Sequence, residues 1–382
     1  MRYFPQEERQ VPLAIKYETS LIWPDAKRIL GVCSTGAAIA VALHDSAVIG
    51  NLETSYSRSC AYYNGRKNHP LLSFRRVVHN IDCLDRDGWI DNFKQCQGGR
   101  GWQSFMKATP DLVAVVSGLL HGLHLPIEQP RSPIVLRVDG RPIDCPSSRQ
   151  TRAMERDVMA INEALRATRV LSANGANLAA PVARIFNDTF KRGGRFYGMG
   201  GSWQNIPADD RANILIDGTP VAELDYGALH PSLLYAEIGK VPPADCYNIG
   251  NWPRALVKLA LLVLINAKNK IAALGAIEHS AQMDALGVDC LKTRRQFANR
   301  LIEDIKALHR PIAKFFHTDA GARLMGVDSD LASSVMGRLR KKGVVALPVH
   351  DSFVVQAPQL PFLEETMRDC AAEIGLPAIS VS

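Results

Sequence analysis

Two strand-like stretches, far apart in the chain and each carrying an aspartate, constrain this sequence most. The first is Val221-Ala222-Glu223-Leu224-Asp225-Tyr226; the second is Leu347-Pro348-Val349-His350-Asp351-Ser352-Phe353-Val354-Val355. Asp225 and Asp351 stand 126 positions apart, and residues 252–323 between them read almost entirely as helix. The expected layout is therefore a sheet interrupted by a helical insertion, with one acid on each side of the interruption. Two carboxylates that converge can hold two magnesium ions, and cations beside them can hold a triphosphate.

Composition sets the background. The chain has 382 residues, 47% hydrophobic and 22% charged, enough for two or three domains with a soluble core. The formal net charge of +7 suits a polyanionic partner. Residues 131–195 carry twelve Arg/Lys against six Asp/Glu, so most of the excess lies there. Arg149, Arg152 and Arg156 recur at helical spacing, followed by Lys191, Arg192 and Arg195. Such a stripe is either a solvated helix face or an element that grips a nucleic-acid duplex.

Eight cysteines are scattered without a C-x-x-C pair or zinc spacing, which points to a reducing cytoplasm and no structural metal. His121 and His124 share a helical spacing but are only two. Glu7, Glu8 and Arg9 stand where a signal peptide would be apolar, and the apolar run Gly31 to Leu43 is too short for a bilayer. The expectation is a cytoplasmic protein with no membrane partner.

Along the chain, Leu71 to Leu84 reads as a helix, Asp87-Gly88 as a turn and Trp89-Ile90 as the start of a strand. A glycine-rich loop (Gly98, Gly99, Gly101) and an Ala108-Thr109-Pro110 start to another helix follow. That order is compatible with a winged-helix module or with a plain helical domain. Pro126 to Pro133 reads as a linker, Ile134–Val138 as a strand, and Ser147 to about Ser172 as helix. Ala212–Ile216 and Val221–Tyr226 flank Asp217-Gly218, a hairpin signal. A helix over Ala228–Ile238, strands over Val344–Gln356 and a last helix near Leu363–Ile374 complete the pattern.

Four separated motifs, in order over about residues 187–357, resemble the family A DNA polymerases and the related single-subunit phage-type RNA polymerases. Gly194-Arg195, with Trp203-Gln204-Asn205-Ile206-Pro207 after seven residues, is similar to the T-G-R and L-Q-N-I-P elements. Asp225-Tyr226-Gly227-Ala228-Leu229-His230 is similar to motif A, D-Y-S-Q-I-E. Arg254, Lys258, Leu262 and Asn266 fall at the four-residue steps of motif B. The helix around them is apolar nearly all round, so two cations on it either meet an anion such as a triphosphate or snorkel at the helix edge. Val349-His350-Asp351-Ser352-Phe353 resembles motif C, and Asp328–Ser334 resembles the helix before it.

The resemblance implies an α+β right-hand polymerase: an antiparallel palm sheet, helical fingers and thumb-like elements. A mainly helical N-terminal domain, compatible with a winged helix, precedes it. The divisions expected are 1–125 for that domain and 126–186 for a linker strand and thumb-like basic helices. Residues 187–240 and 325–382 would form the palm, with reduced fingers at 241–324. By resemblance, Asp225, the Tyr226 carbonyl and Asp351 hold two magnesium ions about 3.5–4 Å apart, or manganese in their place. Arg254 and Lys258 grip the triphosphate, with Tyr226, His230, Leu262 and Asn266 completing the nucleotide site. Arg195, Gln204, Asn205 and His350 contact a DNA primer–template; Arg195 and Gln204 are chemically apt as phosphate and groove donors, or else serve as core residues.

His230 replaces the family's motif A glutamate, and Asn266-Ala267 its Tyr-Gly. Sugar choice is therefore open, with deoxynucleotides favoured by motif A and the Q-N-I-P element. No D-x-E motif precedes the core, so no proofreading exonuclease is expected. The activity implied is DNA-directed DNA synthesis from dNTPs. The rivals are a primase-like or RNA-synthesising enzyme using NTPs on the same fold, and a replication initiator with a retired palm.

Overall fold

A computed structural model describes residues 10–382, apart from 51–52, 64–70, 96–102, 122, 124, 128–129, 131 and 200–201. The glycine-rich loop at 98–101 and His124 lie outside the described residues. In the first 120 residues the elements run β1 (Gln10–Pro12), α1 (Trp23–Leu30), α2 (Ser34–Gly50), β2 (Glu53–Ser55) and α3 (Cys60–Tyr63). They continue with α4 (Phe74–Arg86), β3 (Ile90–Phe93), β4 (Phe105–Ala108) and α5 (Pro110–Leu120). The sheet order is β1-β2-β4-β3, with β4 antiparallel to both neighbours. α4 forms because Val77, Asn80, Ile81 and Leu84 share one buried stripe. Thr109 caps α5 by accepting from Leu112 N–H, and Pro110 fits its first turn.

α2 is buried through Ser46 and packs against α4 and α5. Among the described residues no single helix is long and apolar enough to cross a membrane; α1 and α2 qualify only as a pair bent by 89°. All seven described cysteines are free.

The second sheet was not foreseen from the sequence in full. β5 (Ile134–Val138), β6 (Arg141–Ile143), β8 (Val182–Asn187) and β9 (Thr189–Gly198) order as β6-β5-β8-β9. Between them run α6 (Arg149–Arg166), closed at its start by a Ser148–Thr151 capping box, and the short β7 (Val170–Leu171). Of these strands only Ile134–Val138 is read from the sequence, and β9 is interrupted by charges and glycines. Its pairing with β8 shifts register at Ile185/Phe186 and Phe186/Asn187, so no clean alternation survives.

The third sheet carries the two aspartates. After α7 (Ala208–Arg211) come β10 (Leu215–Ile216) and β11 (Thr219–Asp225), joined by Asp217 and Gly218 at φ 49° and 78°. Both left-handed residues give the tight turn that the Asp-Gly pair announces. Next come α8 (Leu229–Ala236), α9 (Arg254–Asn266), α10 (Lys270–Glu278), α11 (Ala281–Asp284), α12 (Leu291–Leu308) and α13 (Ala320–Lys341). β12 (Leu347–Val349), β13 (Ser352–Gln356) and α14 (Leu360–Glu373) close the order. The sheet is β12-β13-β11-β10-β7, antiparallel in each pairing, so the helices α8 to α13 are an insertion between adjacent strands. The architecture is α+β, with mostly antiparallel sheets and many helices.

α13 binds the second and third sheets together. It lies so close to β9 that a Cβ at Gly326 would sit 2.6 Å from the Lys191 carbonyl oxygen. Arg184, 3% exposed, donates to Gly194 O at 2.9 Å, Ser329 Oγ at 2.6 Å and Asp330 Oδ1 at 2.7 Å.

Candidate active site

β11 and β13 pair in register, with Asp225 opposite Ser352, so Asp351 sits at the turn beside the end of β11. Tyr226 N–H reaches Asp351 O at 3.3 Å. The two aspartates, distant in sequence, are thus neighbours because a five-residue antiparallel ladder aligns them. Left-handed backbone immediately precedes Asp351, at His350 with φ 62°, and follows Asp225 by three residues, at Ala228 with φ 51°. Such conformations are costly for residues with a Cβ and persist only where the surroundings hold them.

The site is electrostatically loaded. Burial, with the nearby Asp351 charge adding to it, pushes the Asp225 carboxyl up to about 7; Lys258 pulls the other way. Asp225 Oδ1 is buried and has no hydrogen-bond partner. An ionisable oxygen that is desolvated, repelled and unpaired is a position where a cation would be bound. Among the described residues no group of three His, Cys, Asp or Glu side chains is placed to hold a metal. The protein therefore offers two carboxylates and leaves other coordination positions to backbone, water or a ligand.

Glu223, two residues before Asp225, is occupied elsewhere. It takes both Arg211 nitrogens, at 2.8 and 3.2 Å, and accepts from Ser352 Oγ. The salt bridge ties α7 to β11, and the Ser352 hydrogen bond braces the β11–β13 ladder next to the aspartates.

α9 corrects one expectation. Its buried face is Leu256, Val257, Ala260, Leu261, Leu264 and Ile265, while Arg254, Lys258 and Leu262 are exposed. The cations therefore need no buried anion; they lie along a solvent-facing stripe, and Leu262, 50% exposed, continues it. Asn266 does not continue it as a ligand: its side chain donates to Leu262 O and abuts Gly321, where a Cβ would collide with it. It is the packing residue where α9 crosses α13. Arg254 is held by both Asp245 oxygens, at 2.5 and 2.6 Å, and its guanidinium lies 5.0 Å from the Tyr247 ring. Asp225 and Asp351 both act electrostatically on the Tyr247 phenol, whose pKa burial has raised to about 12. Asp245 and Tyr247 thus join the site from a loop that carries no motif, and only the ion pair reveals them.

Three of the four residues expected to meet primer–template, Arg195, Gln204 and Asn205, are turned inward. Gln204 accepts from Gly198 N–H at 2.9 Å and donates to Phe196 O and Pro348 O at 3.0 and 2.7 Å. Asn205 accepts from Ser202 N–H at 3.0 Å, and buried Trp203 donates to Pro348 O at 2.9 Å. The Trp-Gln-Asn element therefore clamps β9 to the strand that leads into Asp351. Arg195 pairs with Asp328 at 2.6 Å, and Asp328 is 1% exposed. His230, 7% exposed, has its Nε2 at 3.9 Å from the same carboxylate, beyond hydrogen-bond reach. Burial alone would raise the Asp328 pKa; His230 and Arg195 together hold it below the usual carboxylate range. Tyr226 is likewise internal at its ring, donating to Met367 O at 2.7 Å. Of the primer–template set only His350 is exposed, with its ring 6.1 Å from that of Tyr197.

No protein-family model matches this chain, and no curated protein does. Among solved structures, the POL domain of Pol1 from M. smegmatis, in complex with DNA primer-template and dNTP, is similar at a TM-score of 0.36 and 11% identity. The match covers 96% of this chain and 66% of that one, so this chain spans less than two thirds of its length.

Proposed function

We propose that the protein is a template-directed nucleotidyltransferase, a DNA-directed DNA polymerase without proofreading that extends a primer with dNTPs. One observation carries this reading: Asp225 and Asp351 converge at the end of paired strands, with Lys258 acting on Asp225 from the exposed face of α9. The unpartnered Asp225 oxygen and its raised pKa fit a divalent cation, magnesium or manganese, held by Asp225, Asp351 and the Tyr226 carbonyl. When bound, such ions supply charge neutralisation at the reacting phosphates and a more acidic primer hydroxyl.

The chain's own residues do the rest. Lys258 and Arg254 form a cationic stripe that holds the β and γ phosphates, and Lys258 gives a proton to the leaving pyrophosphate. Leu262, exposed one turn further on, packs against the base. Arg254 enters this role by exchanging Asp245 for phosphate, since its ion pair is exposed and weakly held. His350 at its strained turn contacts the primer end. His230 acts on the sugar only indirectly, through the buried Asp328–Arg195 pair. Deoxynucleotide preference then depends on the shape of that packed cluster.

Extension of a labelled DNA primer on a DNA template, with dNTPs and with NTPs, tests this beside Asp225→Ala and Asp351→Ala. Template-dependent dNTP products that vanish in both variants support it. Products with NTPs alone would replace the DNA enzyme by an RNA-synthesising one, and no product with either would leave a retired palm.

A further inference from the structure

The first 120 residues play no part in the chemistry above, yet their topology is specific. α2, β2, α3, α4, β3 and β4 follow one another, and the three strands order as β2-β4-β3 with β4 in the middle. This helix–strand–helix–helix–strand–strand succession, with the last strand between the first two, is the arrangement of a winged helix. In such modules the helix before the hairpin is the one a DNA groove receives.

That helix is α4, and its charges are arranged to suit. Val77, Ile81 and Leu84 anchor it, which turns Arg75, His79, Asp82 and Arg86 to the opposite side. The acids there are already neutralised. Asp82 binds Arg58 through two hydrogen bonds of 2.8 and 3.0 Å and lies 3.4 Å from Lys94 Nζ; Asp85 lies 3.0 Å from Lys94, and Asp87 takes Arg86. Arg75 and Arg76 remain, exposed and with no ion-pair partner among the described residues. The pairs also fasten α4 to the chain after β2 and to the end of β3. Asn92 strengthens the joint by accepting from Tyr56 at 2.7 Å and donating to Asp85 at 3.2 Å.

We propose that this face is a second nucleic-acid site: α4 seats in the major groove of duplex DNA, with Arg75 and Arg76 on phosphates and His79 toward base edges. A major groove about 12 Å wide admits one α-helix, and two unpaired guanidiniums at its leading turn are the donors such docking uses. The site needs no primer end and no nucleotide. It would hold the duplex at a place distinct from the carboxylate pair, giving the chain a means of anchoring on double-stranded DNA.

The test uses the full chain and a blunt-ended, fluorescein-labelled duplex, with affinity read by anisotropy across a salt series. Arg75→Ala/Arg76→Ala should weaken binding by at least roughly tenfold at 0.1 M salt and reduce the log–log salt slope by about 1.8, two phosphate contacts' worth. Arg75→Lys/Arg76→Lys should restore most of both. Circular dichroism and melting of the variants should match the parent, because both side chains are exposed. Unchanged affinity and slope in a folded double-alanine variant would overturn the proposal and reassign the face to a protein partner. The outcome is separable from the active-site reading: failed primer extension with an intact Arg75/Arg76 effect sinks only the polymerase, and the reverse result sinks only the docking face.

Discussion

The carboxylate edge and the polar cluster behind it make an instructive pair, since both are built from residues that look functional in the sequence. At the edge, Asp225 is half-buried, repelled by Asp351 and left with a buried, unpartnered oxygen, while Lys258 stands exposed. Behind it, Arg195 and Asp328 pair with each other, Arg184 donates to Ser329, Asp330 and backbone, and Gln204 bonds backbone alone. The first region keeps unsatisfied valence for something to bind. The second converts the same residue types into joints between β9, α13 and the strand before Asp351. Partner accounting, more than residue type, separates chemistry from architecture here.

The sharpest way to break this contrast is to remove charge from each side. Asp225→Asn or Asp351→Asn should abolish primer extension, by more than about a thousandfold, with no loss of stability in urea unfolding, because each relieves like-charge repulsion. A stability loss comparable to a core mutation would erase the distinction. Arg195→Ala should do the opposite in kind: roughly 3–5 kcal/mol of stability lost, since Asp328 would be left buried without its partner. Arg195→Met with Asp328→Leu should recover much of that loss, and a double variant no better than the single one would contradict the architectural role.

Lys258→Ala comes next, with about a hundredfold fall in rate. It should also move the acid limb of the pH–rate profile upward, because the Asp225 pKa of about 7 already includes the lowering by Lys258 and would rise without it. A profile that stays in place would detach Lys258 from Asp225.

Metal linkage is a smaller effect. An aspartate raised above its unfolded pKa stabilises the fold at low pH, and that contribution fades as pH rises through about 7. Magnesium or manganese binding the ionised pair should therefore raise the melting temperature more at pH 8 than at pH 5.5. Asp225→Asn should remove the difference; equal shifts at both pH values would place the ion elsewhere.

The smallest effect belongs to His309, buried between the Tyr235 hydroxyl at 3.2 Å and Cys246 O at 2.9 Å. Burial holds its pKa below the ordinary histidine value. The fold thus keeps it neutral, and its stability is full above about pH 6.5 and declines as pH falls toward the depressed value. His309→Gln should flatten that part of the stability–pH curve.

Much of the local structure was legible. Asp217-Gly218 announced the β10–β11 hairpin because two successive left-handed positions favour those residue types. The helix read over Ser147 to about Ser172 is α6, though it ends at Arg166 and not near Ser172. The stripe Arg254, Lys258 and Leu262 was legible as a single face by spacing, but its exposure was not, since an apolar helix can be buried on one side as well as all round. β8 and β9 escaped because bulged, charged strands lack alternation. Asp245 and Tyr247 escaped because a loop residue gains meaning only from what folds against it.

By itself, the sequence determined which side chains are available and which neighbours in the chain share a helix face or a strand: Asp225, Asp351, Lys258 and Arg254, and the short strand-like runs that become β11 and β13. Those are short-range facts, set by dihedral preference and periodicity. Tertiary structure alone decided that Asp225 and Asp351 meet across one ladder, that Arg195 and Gln204 are consumed within the fold, and that Asn266 is packing. Each of those outcomes turns on which polar group finds a partner and which is left without one. That balance of desolvation against pairing is settled only when distant segments come within a few ångströms.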